Sequence, residues 1–314
     1  MGTNHIMNQA IQQQIQTSNA IPSAPGIVAR LYALTSNPNY AQKEVAHLLE
    51  SDPGCVAALL RLANSSHFGG VRKIANVAEA ITRLGIRQVR SMVAARAMVD
   101  SFSGKAPQGL DISYFWRRSL ATATVSSRLA EQQKSIPRDL AFTGGLLCDI
   151  GVIILGRAAP AQYAPLCAKY APHQSEWLAV REFELLGFTH ATVSAMALEQ
   201  WGLPPELVTA VRHHHSEPPA DTSEVASSLA HLFDCSSEVG RVLCEAMDAK
   251  VAVDACIKAM QRLGQEPASL RRVLPLVEAD ISELATALQV DVIPSRVYSL
   301  IAGALSEHLA VASS

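Results

Sequence analysis

Apolar positions along this chain recur at spacings of three and four, while no run alternates long enough to suggest a strand. The segment SDPGCVAALLRLANSS opens on Asp52 as a helix N-cap with Pro53 in the first helical position, and Val56, Leu59, Leu60 and Ala63 then share one face. In NVAEAITRLG, Asn76 is the predicted cap, Glu79 lies three residues on, and Gly85 is the stop. A helix over 41–50 precedes these and another over 86–102 follows, so residues 22–103 read as one helical lobe behind a polar, Gln-rich segment, 1–21. The stretch SFSGKAPQGLD, 101–111, is the predicted linker. Beyond it, helices are predicted over 113–133, 137–156, 161–170, 175–186, 190–200, 204–214 and 222–233, forming a second lobe over 112–234. Helices over 236–262, 267–288 and 293–312 make a C-terminal extension, 235–314, expected to pack on the second lobe or to form a dimer surface. The pattern predicts an all-α fold.

Composition agrees with that reading. Hydrophobic residues make up 49% of the chain and charged residues 17%, with aromatics at only 5%. Small and straight side chains lose little rotamer freedom in a helix. A net charge of −2 gives no bulk attraction for nucleic acid or an anionic membrane. Six scattered cysteines without a Cys-x-x-Cys pair read as reduced thiols, and no apolar run reaches the ~20 residues of a membrane span, so a cytoplasmic protein without membrane association is expected. One local imbalance stands out: residues 53–99 hold Arg61, Arg72, Lys73, Arg83, Arg87, Arg90 and Arg96 against one acid, Glu79. Arg83, Arg87 and Arg90 share a side of their helices, and form either a solvated face or the seat of an anionic partner. In ANSSHFGG, Asn64 and Ser65 are expected to hold the backbone of a turn.

The candidate chemistry centres on GLLCDIG, residues 145–151. Asp149 lies among Leu146, Leu147 and Ile150, with Cys148 beside it. A buried carboxylate requires a metal, a cation or several hydrogen-bond donors. A Cys in such a setting is most simply a small, inert hydrophobe.

Several segments together resemble a known family. IPSAPGIVARLYALTSNPN, SDPGCVAALLRLANSSHFGG and VAEAITRLGIRQVRSMV are similar to the first half of the HDOD domain, the HD-related output domain of bacterial signalling proteins. FWRRSL, GLLCDIG, LLGFTHATVSAMALEQWGLP and VRHHHSEP resemble its second half in the right order, and HLFDCSS extends the likeness to Asp234. The resemblance implies a two-lobed helical HDOD fold whose second lobe is HD-phosphohydrolase-like. It places the metal-site positions of the HD superfamily on Arg118, Cys148, Asp149 and Asp234, so that two ligands are lost and one is replaced by a cation that repels metals. Asp149 and Asp234 are then expected to converge, with Arg118 either bonded between them or directed to solvent. His190, His214 and His215 match positions where relatives with two metals place further histidines. Asp149, His190 and one of His214 and His215 form either a vestigial or remodelled zinc, iron or manganese site, or the histidines are merely a set at helix ends. Because successive helix residues diverge by about 100°, His213, His214 and His215 are not expected to share one pocket.

The function this implies is a non-catalytic signalling module that binds a protein partner of a bacterial pathway or a small ligand such as a nucleotide, with no cofactor required and a homodimer as a further expectation. A residual metal-dependent phosphohydrolase acting on a nucleotide or cyclic dinucleotide is the first alternative. Nucleic-acid binding through the basic first lobe is the second.

Overall fold

The computed structural model describes residues 20–290, apart from 69–71, 103, 105, 134, 172–177 and 246–247, together with a few residues of 11–15 and 303–308. All regular structure among them is helical. In order, the helices are α1 (Gly26–Ser36), α2 (Gln42–Glu50), α3 (Pro53–Asn64), α4 (Val77–Phe102), α5 (Ile112–Ala130), α6 (Arg138–Leu147), α7 (Gly151–Ala158), α8 (Pro160–Cys167), α9 (Leu178–Leu186), α10 (His190–Gln200), α11 (Pro205–Arg212), α12 (Glu224–Cys244), α13 (Ala249–Arg262) and α14 (Pro267–Leu288).

The local signals act as the sequence implies. Asp52 accepts the backbone N–H of Cys55 at 3.0 Å, and Asn76 accepts that of Glu79 at 2.8 Å, while the Glu79 carboxylate takes the Ala75 amide in return. Gly85 sits at φ 76°, a left-handed conformation that breaks α4 into two straight parts. Asn64 holds its turn on both sides, donating to the Leu60 and Ile74 carbonyls and accepting the Ile74 amide.

Helices α1–α4 form the first lobe; α5, α6 and α12 form the spine of the second, with α7–α11 packed across one end of it. A single apolar core runs through both lobes. The apolar stretch Arg138–Ala158 is mostly buried against other helices and so serves as core. Three boundaries differ from the sequence reading, one of them the helix expected over 236–262, which is split where α12 ends at Cys244 and α13 begins at Ala249. The stretch 137–156 is two helices, because the chain turns at 148–150. No break follows Asp234 either: α12 runs through the position where the second lobe was expected to end, since Leu229, Phe233, Val239 and Val242 keep one face buried. The helix expected over 293–312 lies largely outside the described residues.

The C-terminal extension is part of the same body. Helix α14 packs on α3 and α5, and a buried polar cluster clasps it there. His67 donates through Nδ1 to Asp280 at 3.0 Å and faces the Ser127 hydroxyl through Nε2 at 3.0 Å. Arg128 grips both Asp280 oxygens at 2.8 and 2.9 Å, and Ser66 adds its hydroxyl at 3.0 Å. With this many donors, the Asp280 carboxylate is satisfied although buried. Charges so placed select one arrangement of three elements more than they add stability.

Candidate functional site

The turn at 148–150 is what aims Asp149. It carries the residue out of the α6 axis, and Gly151 then lets α7 lie directly against the start of α10. A Cβ at Gly151 would stand 2.1 Å from the His190 carbonyl oxygen. The Gly151 amide donates instead to the Ser194 hydroxyl at 2.8 Å, which fastens the two helices together. His190, first residue of α10, is thereby brought beside Asp149.

Four side chains converge there: Asp149, His190, His214 and His215, with one ligand atom of each lying within 4.8 Å of all the others. Asp149 Oδ1 is 3.3 Å from His190 Nε2 and 3.3 Å from His214 Nε2, and His190 Nε2 is 3.2 Å from His215 Nε2. His214 and His215 can both face the cluster because α11 ends at Arg212 and the next three residues form a turn. Helical divergence therefore does not apply to them. His213 does point elsewhere, toward the Ser216 hydroxyl.

The far nitrogens of two rings are already engaged. His190 Nδ1 lies 2.7 Å from Glu182, a carboxylate of α9 that also accepts the His190 backbone N–H at 2.8 Å and the Tyr163 hydroxyl. His214 Nδ1 donates to the Val211 carbonyl at 2.7 Å. Both rings thus turn Nε2 toward Asp149, an orientation set by partners behind the ring. Protonation follows from this surrounding. Burial would lower the pKa of His190, but Glu182 and Asp149 outweigh it and push the value up to about 10. Burial and the neighbouring His214 and His190 push His215 well below its ordinary range. Asp149 is held well below the usual carboxylate range: burial opposes its charge, and His190, His214 and Arg118 overcome that.

The opposite side of Asp149 is closed. Tyr170 donates its hydroxyl to Oδ2 at 2.6 Å, and the Arg118 guanidinium approaches the same oxygen at 3.9 Å. Arg118 turns inward, its side chain 15% exposed, but it makes no forked bond to Asp149. Its Nη2 donates to the Ser237 hydroxyl at 3.1 Å, and its plane lies over the Tyr170 ring at 4.5 Å. Tyr170 holds the oxygen that a fork would need.

Asp234 does not converge with Asp149. It faces α13 and pairs with Arg262 at 3.1 Å, because Ser237, almost one turn further along α12, occupies the inward position beside Arg118. Cys148 is buried with its thiol near the Gly145 carbonyl, and burial together with Asp149 keeps that thiol protonated. Three basic residues of the first lobe are engaged locally. Arg96 pairs with Asp100, Arg83 donates to the Arg72 carbonyl, and Arg90 lies over Tyr32. Glu182, Tyr163, Tyr170, Ser194 and Ser237 were invisible as site residues, since each looks in sequence like an ordinary helix position.

A bundle of this shape, with an Asp–His cluster between its helices, defines a protein of the HD-related class. The chain belongs to the HDOD family: the HDOD domain model matches residues 21–217. A protein from Shewanella amazonensis SB2B, provisionally named a phosphohydrolase, shares the fold with a TM-score of 0.70 at 23% identity, over 89% of this chain and 98% of that one. A provisionally named signal transduction protein from Marinobacter aquaeolei VT8 superposes with a TM-score of 0.58 at 21% identity, over 97% of this chain and 66% of the other. An uncharacterized protein of Treponema pallidum (strain Nichols) is 25% identical over 211 residues, which are 64% of this chain and only 38% of that protein.

Proposed function

We propose that this chain is a non-catalytic regulatory module whose second lobe is built around one divalent metal ion, held by Asp149, His190, His214 and His215. The residues fit such an ion. A tetrahedral ion with bonds of about 2.0 Å separates its ligand atoms by about 3.3 Å, and three of the separations here are 3.2–3.3 Å. Three imidazoles and a carboxylate suit zinc or iron. The ion would supply the positive charge that binds four lone-pair donors together in the interior. Four protein ligands leave no position for a reacting water in a tetrahedral site, which is the pattern of a structural centre.

The observation that carries the non-catalytic reading is the state of Asp149 Oδ2. A second cation bridged to the first by Asp149 would need that oxygen free; here Tyr170 bonds it and Arg118 lies beside it. Arg118 supplies a fixed charge and cannot acidify a water. Burial opposes its charge, but Tyr170, Asp149 and Tyr114 raise its pKa, so it stays protonated. Signalling through a bound protein or small ligand is the role left to such a lobe, and the likeness to a relative named for signal transduction supports it.

Metal analysis of the purified chain tests this. About one equivalent of zinc or iron is expected, lost in His214→Ala, with no hydrolysis of a phosphodiester such as bis(p-nitrophenyl) phosphate. Manganese- or iron-dependent hydrolysis abolished by Asp149→Ala would overturn the reading in favour of a residual phosphohydrolase.

A further inference from the structure

A cavity of about 300 Å³ lies where the two lobes meet, lined by none of the four cluster residues. Tyr32 of α1 and Arg87 and Arg90 of α4 line it from the first lobe. The second lobe contributes the starts of three helices: Asp139 and Leu140 at α6, Glu206 at α11 and Val225 at α12. We propose that this crevice binds a mononucleotide, with its phosphate on Arg87 and Arg90 and its base between the arginine–tyrosine platform and the second lobe. The proposal rests on the regulatory reading above, since it supplies the small ligand that such a module would sense.

Three features select this chemistry. First, two guanidiniums stand across the cavity from the N-terminal amides of α6, α11 and α12. At α6 the Asp139 carboxylate sits on those amides opposite Arg87, and a ligand phosphate would compete with it for that guanidinium. Second, the Arg90 guanidinium lies 4.1 Å above the Tyr32 ring centre, which fixes it as a flat surface lining the cavity. Stacked guanidiniums accept aromatic rings and bond phosphate through their edges. Third, Asp139 and Glu206 add carboxylate acceptors on the opposite wall. Ring and amino N–H groups of a base are suitable donors to them. Leu140 and Val225 supply the apolar surface between. The volume lies at the lower end for small-ligand sites and suits one nucleotide, not two. Sites between domains also let the ligand bridge them, so occupancy here would tie the position of the first lobe to that of the second.

Calorimetric titration of the full chain with GMP, AMP, ribose 5-phosphate and inorganic phosphate tests this, with metal content measured on the same sample. Saturable binding of GMP or AMP below about 1 mM is expected, with ribose 5-phosphate and phosphate at least about tenfold weaker. Arg90→Ala and Arg87→Ala should each weaken nucleotide binding at least about tenfold. Glu206→Gln should weaken the nucleotide but not phosphate. Arg87 is exposed, so its variant keeps the test open if Arg90→Ala does not fold. No nucleotide binding at about 1 mM, phosphate binding as tightly as the nucleotide, or affinity unchanged in folded Arg87→Ala, would each overturn the proposal. Such a failure in a sample that holds its metal leaves the metal centre standing. Loss of metal with nucleotide binding intact would separate the two in the other direction.

Discussion

At the scale of single residues, the cluster depends on what stands behind its histidines. Glu182 is fully buried and engages Tyr163, the His190 amide and His190 Nδ1 together. It therefore fixes which nitrogen His190 offers to the centre and raises that nitrogen's basicity. Glu182→Gln keeps the shape while removing the charge. Metal affinity, measured by competition with a chromogenic chelator, should fall about ten- to a hundredfold with the helical circular dichroism spectrum unchanged. Unchanged affinity would mean that Glu182 only packs. From sequence, Asp149 was legible because an acid inside an apolar run demands a partner. Glu182 was not, because on a helix of mixed character an inward acid looks like a solvated one.

At the scale of elements, the decisive contact is α7 against α10. The two helices approach backbone to backbone at Gly151, where an added Cβ would meet the His190 carbonyl at 2.1 Å and the Ser194 amide at 2.9 Å. Neither is a side-chain end that can swing aside. Gly151→Ala should destabilise the fold by about 2–3 kcal/mol, the scale for forced overpacking, seen as a lower urea midpoint with an unchanged slope. It should also loosen metal retention, since His190 moves with α10. A variant as stable as the parent would show that α10 is free to shift.

At the scale of the whole molecule, the clasp of α14 onto both lobes makes stability depend on pH. His67 is buried neutral: burial lowers its pKa, and the Asp280 bond only partly opposes that. Its folded value thus lies below the unfolded one near 6.5. As pH falls below about 6.5, the unfolded chain gains a proton that the folded one refuses, and stability declines. Asp280 acts at lower pH. Burial would raise its pKa, but His67 and Arg128 lower it beneath 3.8, so its contribution is present above that value and lost as pH falls through the folded one. Urea midpoints measured from pH 7 to 5 should fall in the parent and fall less in His67→Gln. Equal slopes for the two proteins would remove His67 as the cause.

What the sequence by itself determined is the helical character, most helix starts and stops, and the family. These are local properties, set by caps, glycines and apolar spacing within a few residues. Which polar groups meet was decided only by the tertiary structure. Asp234 and Ser237 lie less than one turn apart on α12, yet rotation about the helix axis sends one toward Arg262 and the other toward Arg118. His214 and His215 reach one centre because α11 stops just before them. The angle of about 60° between residues three apart, or a helix end shifted by two residues, leaves the hydrophobic pattern almost unchanged, while it decides which side chains meet.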